Sequence, residues 1–212
     1  MASWSEWFRE AEKKGKKLEE VLRVNLPRDL DRLYSSGLPV LERYIQDGAQ
    51  YNSSRTLDFC RRHPLNWVRV YHKLDHGRRH SKFGISAQEV VQFIESLEID
   101  LSQFKIQLFE THINQFGGNI LSDEYRTDID IAEGAQDIVG KSLAPFFHGT
   151  ITETGRLAFY EKDVSDKVKK ASWDILKYLK LARGQYRRGY FEFIVSDEDR
   201  VYFLAYIDTL FR

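Results

Sequence analysis

The pattern in this chain nearest to a catalytic signature is Ala-x-x-x-x-Gly-Lys-Ser at positions 135–142. In a phosphate-binding loop the backbone before Gly140 would cradle a phosphate, Lys141 would reach the terminal phosphates and the Ser142 hydroxyl would bind Mg²⁺. Alanine stands at the first position, Asp137 puts a carboxylate beside the anion, and Pro145 leaves little room for the helix whose N-terminus should hold the phosphate. A short helix ending at Gly140 accounts for the same residues. No cofactor is therefore expected.

Two further groups have metal-ligand types. His72, His76 and His80 would stack on one face of a helix, as transition-metal ligands can. Arg78 and Arg79 sit inside that turn and repel a dication, so a solvated basic segment is the simpler reading. Asp128 and Asp130, two apart on a strand, point to one face, as the paired carboxylates of a Mg²⁺-dependent hydrolase would. Alternation of Asp with Ile on a half-exposed strand gives the same pattern without function. Cys60 follows Leu57 and Phe59 in a helical period and reads as a small core residue, although Arg61 and Arg62 would favour its thiolate. His112 reads as a core histidine.

The fourth group is basic and aromatic. Lys169, Lys170, Lys177, Lys180, Arg183, Tyr186, Arg187, Arg188 and Tyr190 mix cations that neutralise phosphates with rings that stack on bases. Arg61, Arg62, Arg78 and Arg79 could extend such a surface. The polar face of any amphipathic helix is also charged.

These residues are positioned by elements of two kinds. The first half reads as helices: one to about position 24, then helices opened by Pro27 and Pro39, segments 55–63 and 65–74, a capped helix from Ser86 to about Leu97, and a helix over 101–116 stopped by Gly117-Gly118. The second half changes period. It predicts a strand over 125–131, a hairpin over 147–161, a long helix over 165–183 capped by Gly184, and paired strands at 190–195 and 201–207. The fold class expected is α+β: a mostly helical domain over 1–117 and, over 123–212, a small antiparallel sheet with one long helix in ferredoxin-like or PAS-like order.

Charge shapes the functional reading. The 212 residues balance 32 Lys and Arg against 32 Asp and Glu, yet the signs are segregated. Residues 61–82 carry seven basic groups against one Asp, 86–137 carry eleven carboxylates against two basic groups, and 167–188 carry eight basic groups against Asp174. Segregated charge speaks to partners. A non-enzymatic binding protein is expected, regulatory, adaptor or assembly factor, docking on protein partners or on itself as an oligomer. The alternative is a nucleic-acid-binding module over 167–191, and a metal-dependent hydrolase or nucleotide-binding enzyme ranks behind both. One cysteine and no apolar run of spanning length point to a cytoplasmic protein without a membrane span.

Overall fold

The computed structural model describes residues 31–75, 78–123, 125–134, 147–152 and 154–207. They fall into two compact units, one from residues 42–111 and the other from residues 31–41 with 112–207.

The first unit is built on four antiparallel strands, β1 (Arg43–Asp47), β2 (Leu65–His72), β3 (Arg79–Ile85) and β4 (Phe104–Thr111), in the order β1-β4-β2-β3. Two helices, α1 (Ser53–Cys60) and α2 (Ala87–Glu95), supply Phe59, Cys60, Val90 and Ile94 to a core shared with Val68, Val70, Ile106 and Leu108 of the sheet. Asn52 caps α1 by accepting from Arg55 N at 3.0 Å. A full capping box opens α2: Ser86 Oγ accepts from Glu89 N, and Glu89 accepts from Ser86 N at 2.9 Å.

The second unit holds six antiparallel strands in the order β10-β9-β5-β6-β7-β8. These are β5 (Asn114–Ser122), β6 (Thr127–Glu133), β7 (Phe147–Ile151), β8 (Leu157–Phe159), β9 (Gly189–Ser196) and β10 (Val201–Ile207), with helix α3 (Asp166–Leu179) between β8 and β9. Val168, Ile175, Leu176 and Leu179 of α3 bury against Ile120, Ile129, Ile131, Phe191 and Phe193 of one sheet face. Each such side chain contributes roughly 1.5–3 kcal/mol relative to exposure.

The helical reading of the first half is corrected here. The segments at 43–47, 65–72, 104–111 and 114–122 are strands. Among the described residues, helix stands where it was expected at 31–35, the end of the segment opened by Pro27, and in α1 and α2; the helix to about position 24 lies outside the described residues. In β4 the residues Phe104, Ile106 and Leu108 are buried on one face while Gln107, Phe109 and Thr111 are buried on the other. A strand covered on both sides loses its alternation, and its apolar residues then fall at spacings of three and four. In β2 the true period is two, Asn66, Val68 and Val70. The ferredoxin-like or PAS-like order is corrected too, because β5 enters the second sheet from a region read as helix and makes six strands. The hairpin of β7 with β8 and the pairing of β9 with β10 do form. Helix α3 ends at Leu179 rather than near 183, with Lys180 in extended conformation as its cap.

Gly118 lies inside β5, where a helix stop was expected. A Cβ there would stand 2.0 Å from the carbonyl oxygen of Asp130 on β6 and 2.7 Å from the Phe193 ring. The bare backbone is what lets β5 and β6 meet. Gly118→Ala should cost about 3 kcal/mol or prevent folding, as overpacking against backbone does. Urea unfolding followed by circular dichroism measures it, and a cost below about 0.5 kcal/mol, the range of neutral surface changes, would refute the account.

Candidate active site

The sheet face opposite α3 carries polar residues in register. Glu192 on β9 pairs with Asn119 on β5, Asn119 with Asp130 on β6, and Asp130 with His148 on β7. Side chains alternate along each strand, so the isoleucines and phenylalanines flanking these positions face α3 while all four polar residues share the other face. The result is one row across four adjacent strands.

At the centre of the row is Asp130, 1% exposed, whose Oδ1 accepts a hydrogen bond from His148 Nδ1. Its second oxygen, Oδ2, is buried and has no hydrogen-bond partner among the described residues. His148 stacks on the Tyr160 ring at 4.8 Å, and its backbone N–H donates to Glu161 Oε2 at 3.0 Å. Arg126 completes this side, donating from Nη2 to the Tyr160 hydroxyl (3.1 Å) and from Nε to Asp128 Oδ1 (2.6 Å). At the other end the Tyr190 hydroxyl donates to Glu192 Oε1 at 2.8 Å and leans on Asn119 Oδ1 at 3.2 Å.

The electrostatics follow from burial and pairing. Burial pushes the Asp130 carboxyl above the usual carboxylate range, and the hydrogen bond from His148 only partly offsets it. Burial disfavours the His148 cation, but the hydrogen bond and charge of Asp130, with Asp128 behind it, outweigh burial and hold the imidazole pKa above its ordinary value. The two shifts describe one proton held tightly by the pair. Tyr190, raised well above its usual value by burial and then by Glu192, remains a donor. Such a pair can give a proton to a bound group or take one from it through His148 Nε2, which reaches solvent with the ring 19% exposed.

Of the residues singled out by the sequence, Asp128, Asp130 and Tyr190 fall here, Tyr190 as a buried hydroxyl rather than as an exposed ring for a polyanion. Gly140, Lys141 and Ser142 lie outside the described residues, as does His76. The helix face supposed for His72 and His80 is not formed: His72 ends β2, accepting from Leu74 N and Asp75 N, and His80 lies in β3. Cys60 is fully buried, which pushes its thiol up to about 11 despite the neighbouring arginines. Among the described residues no group of three or more His, Cys, Asp or Glu side chains is placed to hold a metal ion.

The basic stretch is not a free cationic stripe. Lys169 pairs with Asp166, Lys170 with Asp174 and Asp199, and Lys177 with Asp174. Arg187 donates to the Ser36 carbonyl at 3.0 Å, Tyr186 is half-buried, and Tyr190 is buried in the row. Lys180 bridges to Tyr186, Arg183 lies in the turn at Ala182–Gly184, and Arg188 is exposed. Arg62 pairs with Glu42 at 2.7 Å in the first unit, where Arg61, Arg78 and Arg79 are exposed.

No protein-family model matches the chain, and no curated protein is similar to it. Solved structures are. One is an ATP-grasp ligase from Chryseobacterium gregarium in complex with ADP and a leader and core peptide, at 12% identity and TM-score 0.47, covering 88% of this chain and 52% of that one. A second is the D-alanyl-alanine synthetase A of Vibrio cholerae, at 8% identity and TM-score 0.46, covering 84% of this chain and 54% of that one. A third is the macrocyclase MdnB of Microcystis aeruginosa, at 13% identity and TM-score 0.41, covering 84% and 49%. The chain thus spans about half the length of these structures, and no residue role is carried over from them. They are described as an ATP-grasp ligase, a synthetase and a macrocyclase. With Lys169, Lys170 and Lys177 of α3 locally paired, the expectation of a non-enzymatic docking protein is corrected, as is its nucleic-acid alternative. The oligomer expectation gains no support either. No helix among the described residues is long and apolar enough to cross a membrane.

The pair makes a prediction with a definite sign. The imidazole binds its proton more tightly folded than unfolded, so its stabilisation is full below the unfolded value of 6.5 and is lost as pH rises through the folded one. In Asp130→Asn the two largest raising contributions are lost, leaving burial and Arg126 opposed only by the Asp128 charge, and the His148 midpoint should fall. An NMR titration of the ring in both proteins tests this, and an unchanged midpoint would refute the pairing.

Proposed function

We propose that this chain is an enzyme, or the catalytic part of one, that binds a Mg²⁺-complexed nucleotide phosphate on the polar face of the six-stranded sheet. The observation that carries the reading is the row of Glu192, Asn119, Asp130 and His148, with the buried Asp130 Oδ2 lacking a partner among the described residues. A buried carboxylate oxygen with no donor is costly, and a ligand that brings a cation or a proton removes that cost.

The donor set fits Mg²⁺ in one particular way. Mg²⁺ keeps several waters and shares itself with phosphate oxygens, so it needs one or two protein carboxylates rather than a full cage. Asp130 and Glu192, flanking the Asn119 amide, are hard oxygen donors of that kind. When bound, the metal would neutralise phosphate charge. The chain's own residues do the rest: Tyr190 orients Glu192, Asp130 fixes the imidazole, and His148 Nε2 exchanges a proton with the reacting group. Two of the similar structures are described as ATP-grasp ligases in complex with ADP, one of them with Mg as well, which names the same ligand class for those proteins. The reading for this chain rests on the row of side chains.

Thermal melting with ATP or ADP, each with Mg²⁺ or with EDTA, is the test. The midpoint should rise with Mg²⁺-nucleotide, since a ligand at about 100 times its Kd adds about 2.7 kcal/mol. The rise should vanish with EDTA and in Asp130→Asn. Melting curves unmoved by any nucleotide at millimolar concentration would overturn the proposal.

A further inference from the structure

The six-stranded sheet ends in an open edge. Among the described residues, strand β8 is its last strand and has only β7 as a neighbour. Tyr160 N donates to His148 O, Thr152 N donates to Arg156 O, and Ala158 pairs with Thr150. In an antiparallel ladder, backbone groups turn alternately inwards and outwards. Arg156, Ala158 and Tyr160 therefore spend theirs on β7, and Leu157 and Phe159 aim theirs out of the sheet. Among the described residues nothing receives them, and Ala158 is exposed.

Beneath that edge lies a cavity of about 260 Å³ between β8 and α3. Leu157, Phe159, Val164 and Trp173 wall it with apolar surface, and Trp173 remains 36% exposed. The exposed lysines Lys162 and Lys169 also line it, and the long 3.5 Å pair of Lys169 with the fully exposed Asp166 is one that water and an incoming carboxylate can replace. The carboxylate Glu161 lines it too, but it accepts the His148 backbone N–H. An unpaired strand edge, an apolar hole on the side to which Leu157 and Phe159 point, and two cations beside it are three separate observations.

We propose that β8 and this cavity form a docking site for an extended peptide that adds a strand to the sheet, with an apolar side chain in the cavity and an acidic one two residues along at Lys162 and Lys169. Main-chain hydrogen bonds to Leu157 and Phe159 would supply affinity, and the cavity would select the side chain. Side chains two apart on a strand share a face, so both recognition elements come from one short segment. The acidic preference follows from the two ammonium groups. The site lies on the α3 side of the sheet and is separate from the polar row.

The test uses a fluorescein-labelled pentapeptide amide with phenylalanine and glutamate at its second and fourth positions among threonines, followed by fluorescence anisotropy. Saturable binding to the whole chain is expected. The same peptide N-methylated at phenylalanine and glutamate keeps its side chains but loses the inward N–H groups, and should not saturate. The variant Lys162→Glu/Lys169→Glu, exposed at both positions, should keep the wild-type melting midpoint and bind about tenfold more weakly. No saturation by the unmodified peptide at millimolar concentration would overturn the proposal. Equal affinity of the N-methylated peptide would also overturn it, as would unchanged affinity in the charge-reversal variant.

Discussion

A carboxylate buried to 1% exposure at Asp130 is the constraint on which the second unit turns. Removing such a group from water costs several kcal/mol unless it is paired and hydrogen-bonded. Its single hydrogen-bond partner among the described residues is His148, contributed by the next strand. That partnership exists only in one register, Asp130 opposite His148, and a slip by one residue would turn His148 to the other face. The same carboxylate sits opposite Asn119 on its other side, where Gly118 allows the close approach of the two strands. Backbone register, side-chain pairing and the proton held by the imidazole are consequences of one costly placement.

The two faces of the sheet divide the labour. One is closed by α3, whose buried Val168, Ile175, Leu176 and Leu179 fix the strands as a platform. The other holds titratable and hydrogen-bonding groups whose orientation the platform sets: Tyr190 on Glu192, Tyr160 stacked on His148, Arg126 tying Tyr160 to Asp128. Chemistry needs groups fixed by rigid elements and open to a ligand on one side. His148 meets that description, with one nitrogen locked by Asp130 and the ring still partly exposed.

What the sequence showed of this arrangement depended on how far each signal reaches. Local signals were legible. The Ser86–Glu89 capping box, the β7–β8 hairpin around Gly155 and the apolar stripe of α3 each lie within a few residues, and each is found. Asp128 and Asp130 were visible as an alternation on β6. The strands β2, β4 and β5 were not legible as strands, because burial on two faces in β4 and a glycine pair inside β5 imitate a helix and its stop. The row itself had no signal in one sequence. Asn119, His148 and Glu192 become neighbours of Asp130, or of one another, only through long-range pairing, and each alone resembles an ordinary polar residue on a strand. The charge blocks misled for a related reason: Lys170, counted as part of a basic run, meets Asp174 on its own helix and Asp199 across a turn.

The central claim is that the polar row is a ligand site. Amide chemical shifts recorded while Mg²⁺-ADP is added to isotope-labelled protein test it most directly. The account predicts saturable shifts centred on Asn119, Asp130, His148 and Glu192, absent when EDTA replaces the metal. Shifts confined to the α3 side of the sheet, or none at millimolar ligand, would contradict it.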